Sequence, residues 1–343
     1  MVPPPEEKRQ ACILQFRELL GPDGQNVDID TAQRYLIARS WDVPAAINQY
    51  TKTLQWRAQN RIDDIPVATP DNGLPALYAI RGYSSLPDQN LEAAPGVAEN
   101  VLRIATYMGG SGLHKFDRDG CPVYIERLGL HDVKGLAKNC TMEEVLTYHL
   151  ACNEFLHRII LKEASERAGH KISRESVIFD CTGMGWHQFH MPGLQFLRGI
   201  LDIDQSYYPE TMNNLYLINT PSAFVMVWKI VKAWMDPGLI AKVHILGSDY
   251  QPILRDKIGA ENLPTFLGGE CQCQAPGGCL PNNREHPIPK ATEQNPTLEG
   301  KVYSDEVVAK AHTTQPDFSK AAEAEYHLAN NNSLPSLTAI TDA

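Results

Sequence analysis

The sequence predicts an α/β protein: a small helical module at the N-terminus, followed by a domain with a mostly parallel sheet. Three observations carry this reading. From about residue 120 to 247, short apolar runs alternate with helical spacings, the pattern of parallel strands joined by helices. Residues 11–60 have helical spacings and no strand pattern. The chain has 343 residues, enough to bury a substantial core in two domains with a tail to spare.

The expected organisation is a flexible start over 1–10, a helical module over 11–60, a linker over 61–98, an α/β domain over 99–280 and a polar tail over 281–343. In the module, Ile13, Phe16 and Leu20 define a first helix within Cys12–Leu20. Asp28 and Asp30 are N-cap candidates for a helix over Thr31–Arg39, and Asp42 caps another with Ile47, Tyr50 and Leu54 on one face. Residues 61–98 are rich in Pro, Gly and Asp, a surface-wrapping composition.

In the α/β domain the expectations run in order. A helix covers Val101–Met108, and Gly109–Gly112 is flexible. Pro122–Arg127 is a strand, and Thr141 with Glu144 opens a long helix over 142–168 by a capping box. Val177–Asp180 is a strand, Met191–Leu201 a helix and Tyr207–Leu215 a short helix. Tyr216–Ile218 and Val243–Leu246 are strands around a helix over Ser222–Met235, and Ile253–Ile258 is helical before a turn at Leu263–Gly269.

The helix over Ser222–Met235 organises the domain. Phe224, Val227, Trp228 and Val231 form a stripe at helical spacing, but Val225, Met226, Ile230 and Ala233 make the other side apolar too. Such a helix is buried on both sides or faces something other than water. It is too short to span a bilayer, which takes about 20 apolar residues. Two readings follow: a central core helix, or a lid with one face on an apolar cavity and the other on lipid.

Composition narrows the function. A net charge of −10 excludes the broad basic surface of a general nucleic-acid binder. The start MVPPPEEKRQ has no apolar signal region, and eight scattered cysteines, at 12, 121, 140, 152, 181, 271, 273 and 279, read as free thiols in a reducing compartment, the cytosol. Gly183 and Gly185 follow a strand, but Gln188 stands where a dinucleotide-binding turn has its third glycine. Cys271, Cys273 and Cys279 give CxCx5C, short of the four ligands of a structural zinc site unless His286 joins them. The reading taken is a turn with free thiols: no metal and no cofactor. Glu126, Asp180 and Glu210 stand at strand ends and a helix start, where acids serve caps and dipoles more often than catalysis.

Six motifs, in order, carry a resemblance: LIARSWDV (Leu36–Val43), DRDGCPVYIERLG (Asp117–Gly129), VIFDCTGMG (Val177–Gly185), YYPETMNNLYLINTPSAF (Tyr207–Phe224), KVHILG (Lys242–Gly247) and ENLPTFLGGECQC (Glu261–Cys273). Together they resemble the CRAL-TRIO lipid-binding proteins, in particular the branch that exchanges phosphatidylinositol between membranes. The resemblance implies a sheet flooring an apolar lipid pocket closed by a gate helix, and this gate coincides with Ser222–Met235. It implies no enzymatic activity.

It also implies residue roles. Arg39 and Lys242 match phosphate-binding positions, Glu210 matches the acid that accepts inositol hydroxyls, and Asp119 lies in a loop near the headgroup. Phe224, Val227, Trp228, Val231 and Trp234 fall on the gate, with hinges at Asn219-Thr220-Pro221 and Asp236-Pro237-Gly238. Phe224, Val227, Trp228 and Trp234 are expected to meet the bilayer, where Lys229 and Lys232 favour an anionic leaflet. Ser40 and Leu239 depart from the family's second basic residue and a phosphate-binding threonine. Glu175 and Val177 stand where members that also bind phosphatidylcholine carry a serine and a threonine, so a different second lipid is expected. The implied partners are a phospholipid ligand, a transient membrane surface on Golgi or endosomes, and a lipid kinase or other protein partner reached through the tail.

Overall fold

The structure, a computed structural model, describes residues 3–65, 104, 107–185, 188, 189, 191–222, 224–273 and 278–280. Of the linker expected over 61–98, residues 61–65 are described and include a short 3-10 turn at Ile62–Asp64; residues 66–98 and the tail over 281–343 lie outside the described residues, as does most of the helix expected over Val101–Met108.

The N-terminal module is helical, with α1 (Glu6–Leu19), α2 (Pro22–Gln25), α3 (Ile29–Ala38) and α4 (Val43–Gln59). The first helix begins at Glu6, inside the stretch expected to be flexible. The Asp28 side chain accepts from Thr31 N and the Asp42 side chain from Ala45 N, as the cap pattern predicts. Phe16, Ala32, Leu36 and Ala46, all fully buried, are the centre of the module's own core. The exit of α3 is tight: Trp41 N–H reaches the Leu36 carbonyl and Ser40 N–H the Ile37 carbonyl, with Ser40 at φ 55°. This is the bonding of a Schellman end, carried here without glycine.

A five-stranded sheet follows in the order β1 (Ser111–Phe116), β2 (Pro122–Arg127), β3 (Glu175–Asp180), β4 (Met212–Ile218) and β5 (Val243–Ile245). β1 is antiparallel to β2, and β2 to β5 are parallel. Two expectations fail here. The segment after Gly110 is a strand rather than a flexible stretch. The residues from Met212 to Leu215 are strand rather than helix, because Leu215 and Leu217 alternate with Tyr216 and Ile218 and both sides are buried.

Alternation gives the sheet two apolar faces. Val123, Ile125, Ile178, Tyr216 and Ile218 pack on Tyr250, Leu254, Ile258, Leu263 and Leu267, the last group coming from α11 (Gln251–Lys257), the residues that flank it and the turn after it. Val177, Leu215 and Leu217 look the other way, with Phe179 and Val243 beside them.

Over this second side run α5 (Val133–Asn139), α6 (Met142–Phe155), α7 (Leu161–Ala168) and α8 (Met191–Tyr207). The predicted helix over 142–168 is interrupted: Leu156–Ile160 widens into a π turn between α6 and α7. The Thr141–Glu144 capping box is present at its start. α9 (Phe224–Lys232) and α10 (Pro237–Ile240) complete the order before β5. The C-terminal end of α8 docks on the helical module. Trp56 stacks on Tyr207 with ring centroids 3.9 Å apart, and Gln49 Nε2 donates at 3.0 Å to the carbonyls of Gln205 and Ser206.

Candidate functional site

The site is built at the amino ends of the parallel strands and across the sheet's second face. Glu210 lies just before β4 with φ 61°, in the left-handed region. Lys242 lies just before β5. Their strands pair in parallel, so both side chains meet at one edge: Lys242 Nζ donates to Glu210 Oε2 at 2.6 Å and to the Met212 carbonyl at 2.9 Å. Two of the three ammonium donors are therefore used. Burial pulls the Lys242 ammonium below its ordinary value, against the opposing pull of Glu210. Arg174, before β3, stands 4.0 Å from the same carboxylate oxygen.

Arg39 enters from the module. As the C-cap of α3 it leaves the helix at the Schellman end, and its Nη1 lies 3.8 Å from Asp236 Oδ2. Asp236 opens α10, and two residues on, a Cβ at Gly238 would meet Glu210 Oε1 at 3.8 Å. Arg39 thus gathers around one short helix with Glu210 and Lys242, which lie 171 and 203 residues further along the sequence. Asp119 is at the same edge of the sheet, exposed, in the turn between β1 and β2. Its N–H binds Asp117 Oδ1 at 2.9 Å, and it touches none of the other three through any described ion pair. Sequence reasoning missed Arg174, which stands in no distinctive motif, and read Asp236 as part of a hinge rather than as a partner of Arg39.

Across the second face lies α9. Phe224 and Val227 are buried, and Phe224 and Trp228 join Val177, Leu215 and Leu217 on the sheet. Val225 and Met226 point outward, 59% and 43% exposed. The structure thus turns inward the face expected to meet the bilayer and presents Val225 and Met226 instead. Val231 is half-buried. Trp234 lies beyond the end of α9 and is held by α8: Arg198 covers its ring at 5.4 Å and Gln205 Nε2 donates to its carbonyl at 3.0 Å. The helix is shorter than Ser222–Met235 because Ala233–Met235 turn towards these partners. At the first expected hinge Asn219 adopts φ 53° and donates to Asp180 Oδ1 at 2.9 Å.

Polar groups lie behind this apolar surface. His149 Nε2 and Asn153 Nδ2, on α6, are 2.7 and 2.9 Å from Asp204 Oδ1 on α8. Burial lowers the His149 value, but the Asp204 charge and hydrogen bond outweigh it and the net direction is up. Glu175 begins β3 and packs inward. Burial, reinforced by Asp204, pushes its carboxyl up to about 8, so it is largely protonated at neutral pH. Val177, two residues on, is buried against Leu215.

The other carboxylates serve local roles. Asp180 Oδ1 accepts from Thr182 N and Oγ1 at 2.9 and 2.6 Å, and Glu126 Oε1 is 2.7 Å from His131 Nε2. Neither meets Glu210. Gly183, at φ 82°, makes a close turn in which Met184 N–H reaches the Cys181 carbonyl. A Cβ at Gly129 would lie 1.8 Å from the Thr182 carbonyl oxygen, so this turn is sealed by backbone.

A mostly parallel sheet with an apolar helix across one face, and a cluster of basic and acidic groups where its strands begin, is the arrangement the six motifs imply, and the chain belongs to the CRAL-TRIO family. The model of the CRAL/TRIO domain matches residues 106–269. The chain is 31% identical over 255 residues to the Sec14 cytosolic factor of Schizosaccharomyces pombe, covering 74% of this chain and 78% of that protein. It is 32% identical over 279 residues to the phosphatidylinositol/phosphatidylcholine transfer protein SFH7 of Arabidopsis thaliana, covering 81% of this chain but only 45% of the plant protein. The chain therefore spans about half the length of that relative. The crystal structure of Sfh5 shares the fold with a TM-score of 0.50 at 13% identity, over 90% of this chain and 99% of that one. Among the described residues no helix is long and apolar enough to cross a membrane.

Proposed function

We propose that this chain binds a phospholipid and carries it between membranes, exchanging phosphatidylinositol with a second lipid. The observation that carries the reading is the convergence of Arg39, Lys242 and Glu210 beside α10. An arginine forks a phosphate, a lysine adds a point charge, and a carboxylate accepts hydroxyl hydrogen bonds. The names of the relatives support the same ligand class.

The energetics require an enclosed route. A two-tailed phospholipid has roughly thirty methylenes, and at ~0.8 kcal/mol each their exposure to water costs on the order of 25 kcal/mol. A carrier must replace the bilayer with protein of similar apolarity. In this proposal the tails lie against Val177, Leu215 and Leu217 beneath α9, which moves aside at a membrane. Val225 and Met226 make the first contact, with Lys229 and Lys232 favouring an anionic leaflet. The chain performs no bond-making step; it presents phosphatidylinositol to a lipid-modifying enzyme such as a kinase. It works from the cytoplasm and visits internal membranes such as Golgi or endosomes transiently.

The second ligand differs from phosphatidylcholine. Glu175 and Val177 replace the serine and threonine that the resemblance sets on β3, and a protonated carboxyl beside a valine suits a hydroxylated lipophile such as a sterol or tocopherol. On the competing reading the chain is a sensor of such a lipophile, acting through a protein partner.

The test is vesicle-to-vesicle transfer of labelled phosphatidylinositol by the wild type and by Arg39→Ala/Lys242→Ala, with mass spectrometry of co-purifying lipids. Loss of inositol-lipid transfer in a folded variant supports the carrier. Equal transfer by both proteins removes the headgroup assignment and favours the sensor.

A further inference from the structure

A second cluster lies on the other side of the sheet. Cys271, Cys273 and Cys279 close on His114, and the three Sγ atoms and an imidazole nitrogen all lie within 4.8 Å of one another. The sequence suggested His286 as a fourth ligand; it lies outside the described residues, and β1 supplies His114 instead. From this geometry we propose that His114, Cys271, Cys273 and Cys279 form a structural zinc site.

The spacing matches the ion. Tetrahedral zinc with Zn–S of about 2.3 Å and Zn–N of about 2.0–2.1 Å sets its sulfurs about 3.8 Å apart and its sulfur and nitrogen about 3.5 Å apart. Cys271 Sγ and Cys273 Sγ are 3.8 Å apart, and Cys273 Sγ is 3.5 Å from His114 Nε2. A disulfide would use two of these thiols and leave the third beside the imidazole, whereas all eight described cysteines are free. Thiolate and imidazole donors select zinc over the oxygen-seeking calcium and magnesium. Four protein ligands close the coordination sphere, as in structural rather than catalytic sites.

The surroundings are built for it. His114 is fully buried. Cys271 is fixed by backbone bonds, its N–H to the Leu263 carbonyl at 3.0 Å and its carbonyl from Thr265 N–H at 3.2 Å. Cys273 N–H points at Cys279 Sγ, 3.3 Å away, the kind of outer-shell donor that steadies a metal-bound thiolate. The Cys279 thiol lies 3.3 Å from the Cys271 carbonyl, and its proton leaves when metal binds. Next to it, Leu280 enters the core formed with Tyr216 and Leu254. Zinc at this point ties the chain beyond the Leu263–Gly269 turn to β1, the antiparallel edge strand. The three cysteines lie past residue 269, where the match to the family domain ends, and the sheet separates them from the face under α9.

The test uses the full chain purified under reducing conditions. Inductively coupled plasma mass spectrometry should find close to one zinc per chain, falling to background in Cys273→Ser. Cobalt exchanged into the wild type should give the visible d–d and thiolate charge-transfer absorption of a tetrahedral sulfur-rich site. That signal should be lost in Cys273→Ser and shifted in His114→Asn. If Cys273→Ser does not fold, alkylation of the wild type decides: metal protects Cys271, Cys273 and Cys279, and chelation exposes them together. A folded wild type without zinc that takes up no cobalt overturns the proposal, as does a disulfide between two of these cysteines or an unchanged cobalt spectrum in Cys273→Ser.

Discussion

Arg57 on α4 holds Glu154 on α6 by two parallel bonds of 2.9 Å, one from each terminal guanidinium nitrogen. Glu154 is 1% exposed, and Tyr208 Oη donates to it at 2.7 Å. The contact joins the helical module to the α/β domain at the place where Trp56 stacks on Tyr207. It thereby sets where α3, and with it Arg39, stands relative to Glu210 and Lys242.

Arg57→Ala should destabilise the protein by about 3–5 kcal/mol, because it leaves a buried carboxylate without its cation. Tyr208→Phe should cost less, about 1–3 kcal/mol, as one charge-assisted hydrogen bond is lost. Urea denaturation followed by circular dichroism measures both. If Arg57→Ala unfolds at the wild-type midpoint, the pair does not brace the interface.

Glu175 makes the stability pH-dependent. Its carboxyl is raised from an ordinary 4.5 to about 8, so the folded chain keeps a proton that the unfolded chain releases. This contribution is complete below about 4.5 and is lost as pH rises through about 8. Glu175→Gln should therefore flatten the decline in stability between these values and gain on the order of 2 kcal/mol at the upper end. Thermal midpoints across the range test this, and parallel curves for the two proteins would contradict it.

Lys242→Ala should weaken phosphatidylinositol binding roughly ten- to hundredfold, the worth of a charge-assisted contact. It should leave the binding of a headgroup-free lipophile unchanged. Competition between the two ligands on immobilised protein separates these effects, and equal losses for both would mean that Lys242 acts on the fold rather than on the headgroup.

Val225→Asp with Met226→Asp should change stability by less than about 1 kcal/mol, since both side chains already face solvent. Transfer between vesicles should nevertheless fall several-fold, with lipid binding in detergent retained. Undiminished transfer would show that the outer face of α9 never touches the bilayer.

Much of this was legible in the sequence because it is coded locally. The caps at Asp28 and Asp42, the Thr141–Glu144 box and the apolar stripe of α9 each lie within a few residues, inside the reach of helical or strand periodicity. The errors came from places where tertiary burial overrides that code. Met212–Leu215 looked helical from a Pro-Glu start but opens the inner strand β4, which is buried from Leu215 on, and the glycines before β1 concealed an edge strand.

The sequence alone determined that this is an α/β protein with a helical N-terminus, an apolar helix between its last strands, and motifs of a lipid-binding family. Only the tertiary structure decided which side of α9 faces the sheet, that Arg174 and Asp236 join the basic and acidic cluster, and that His114 meets the cysteines. The physical reason is distance along the chain. Arg57 and Glu154 are separated by 97 residues, and His114 and Cys273 by 159. No local spacing encodes such pairs; they follow from strand order and packing once the sheet has formed.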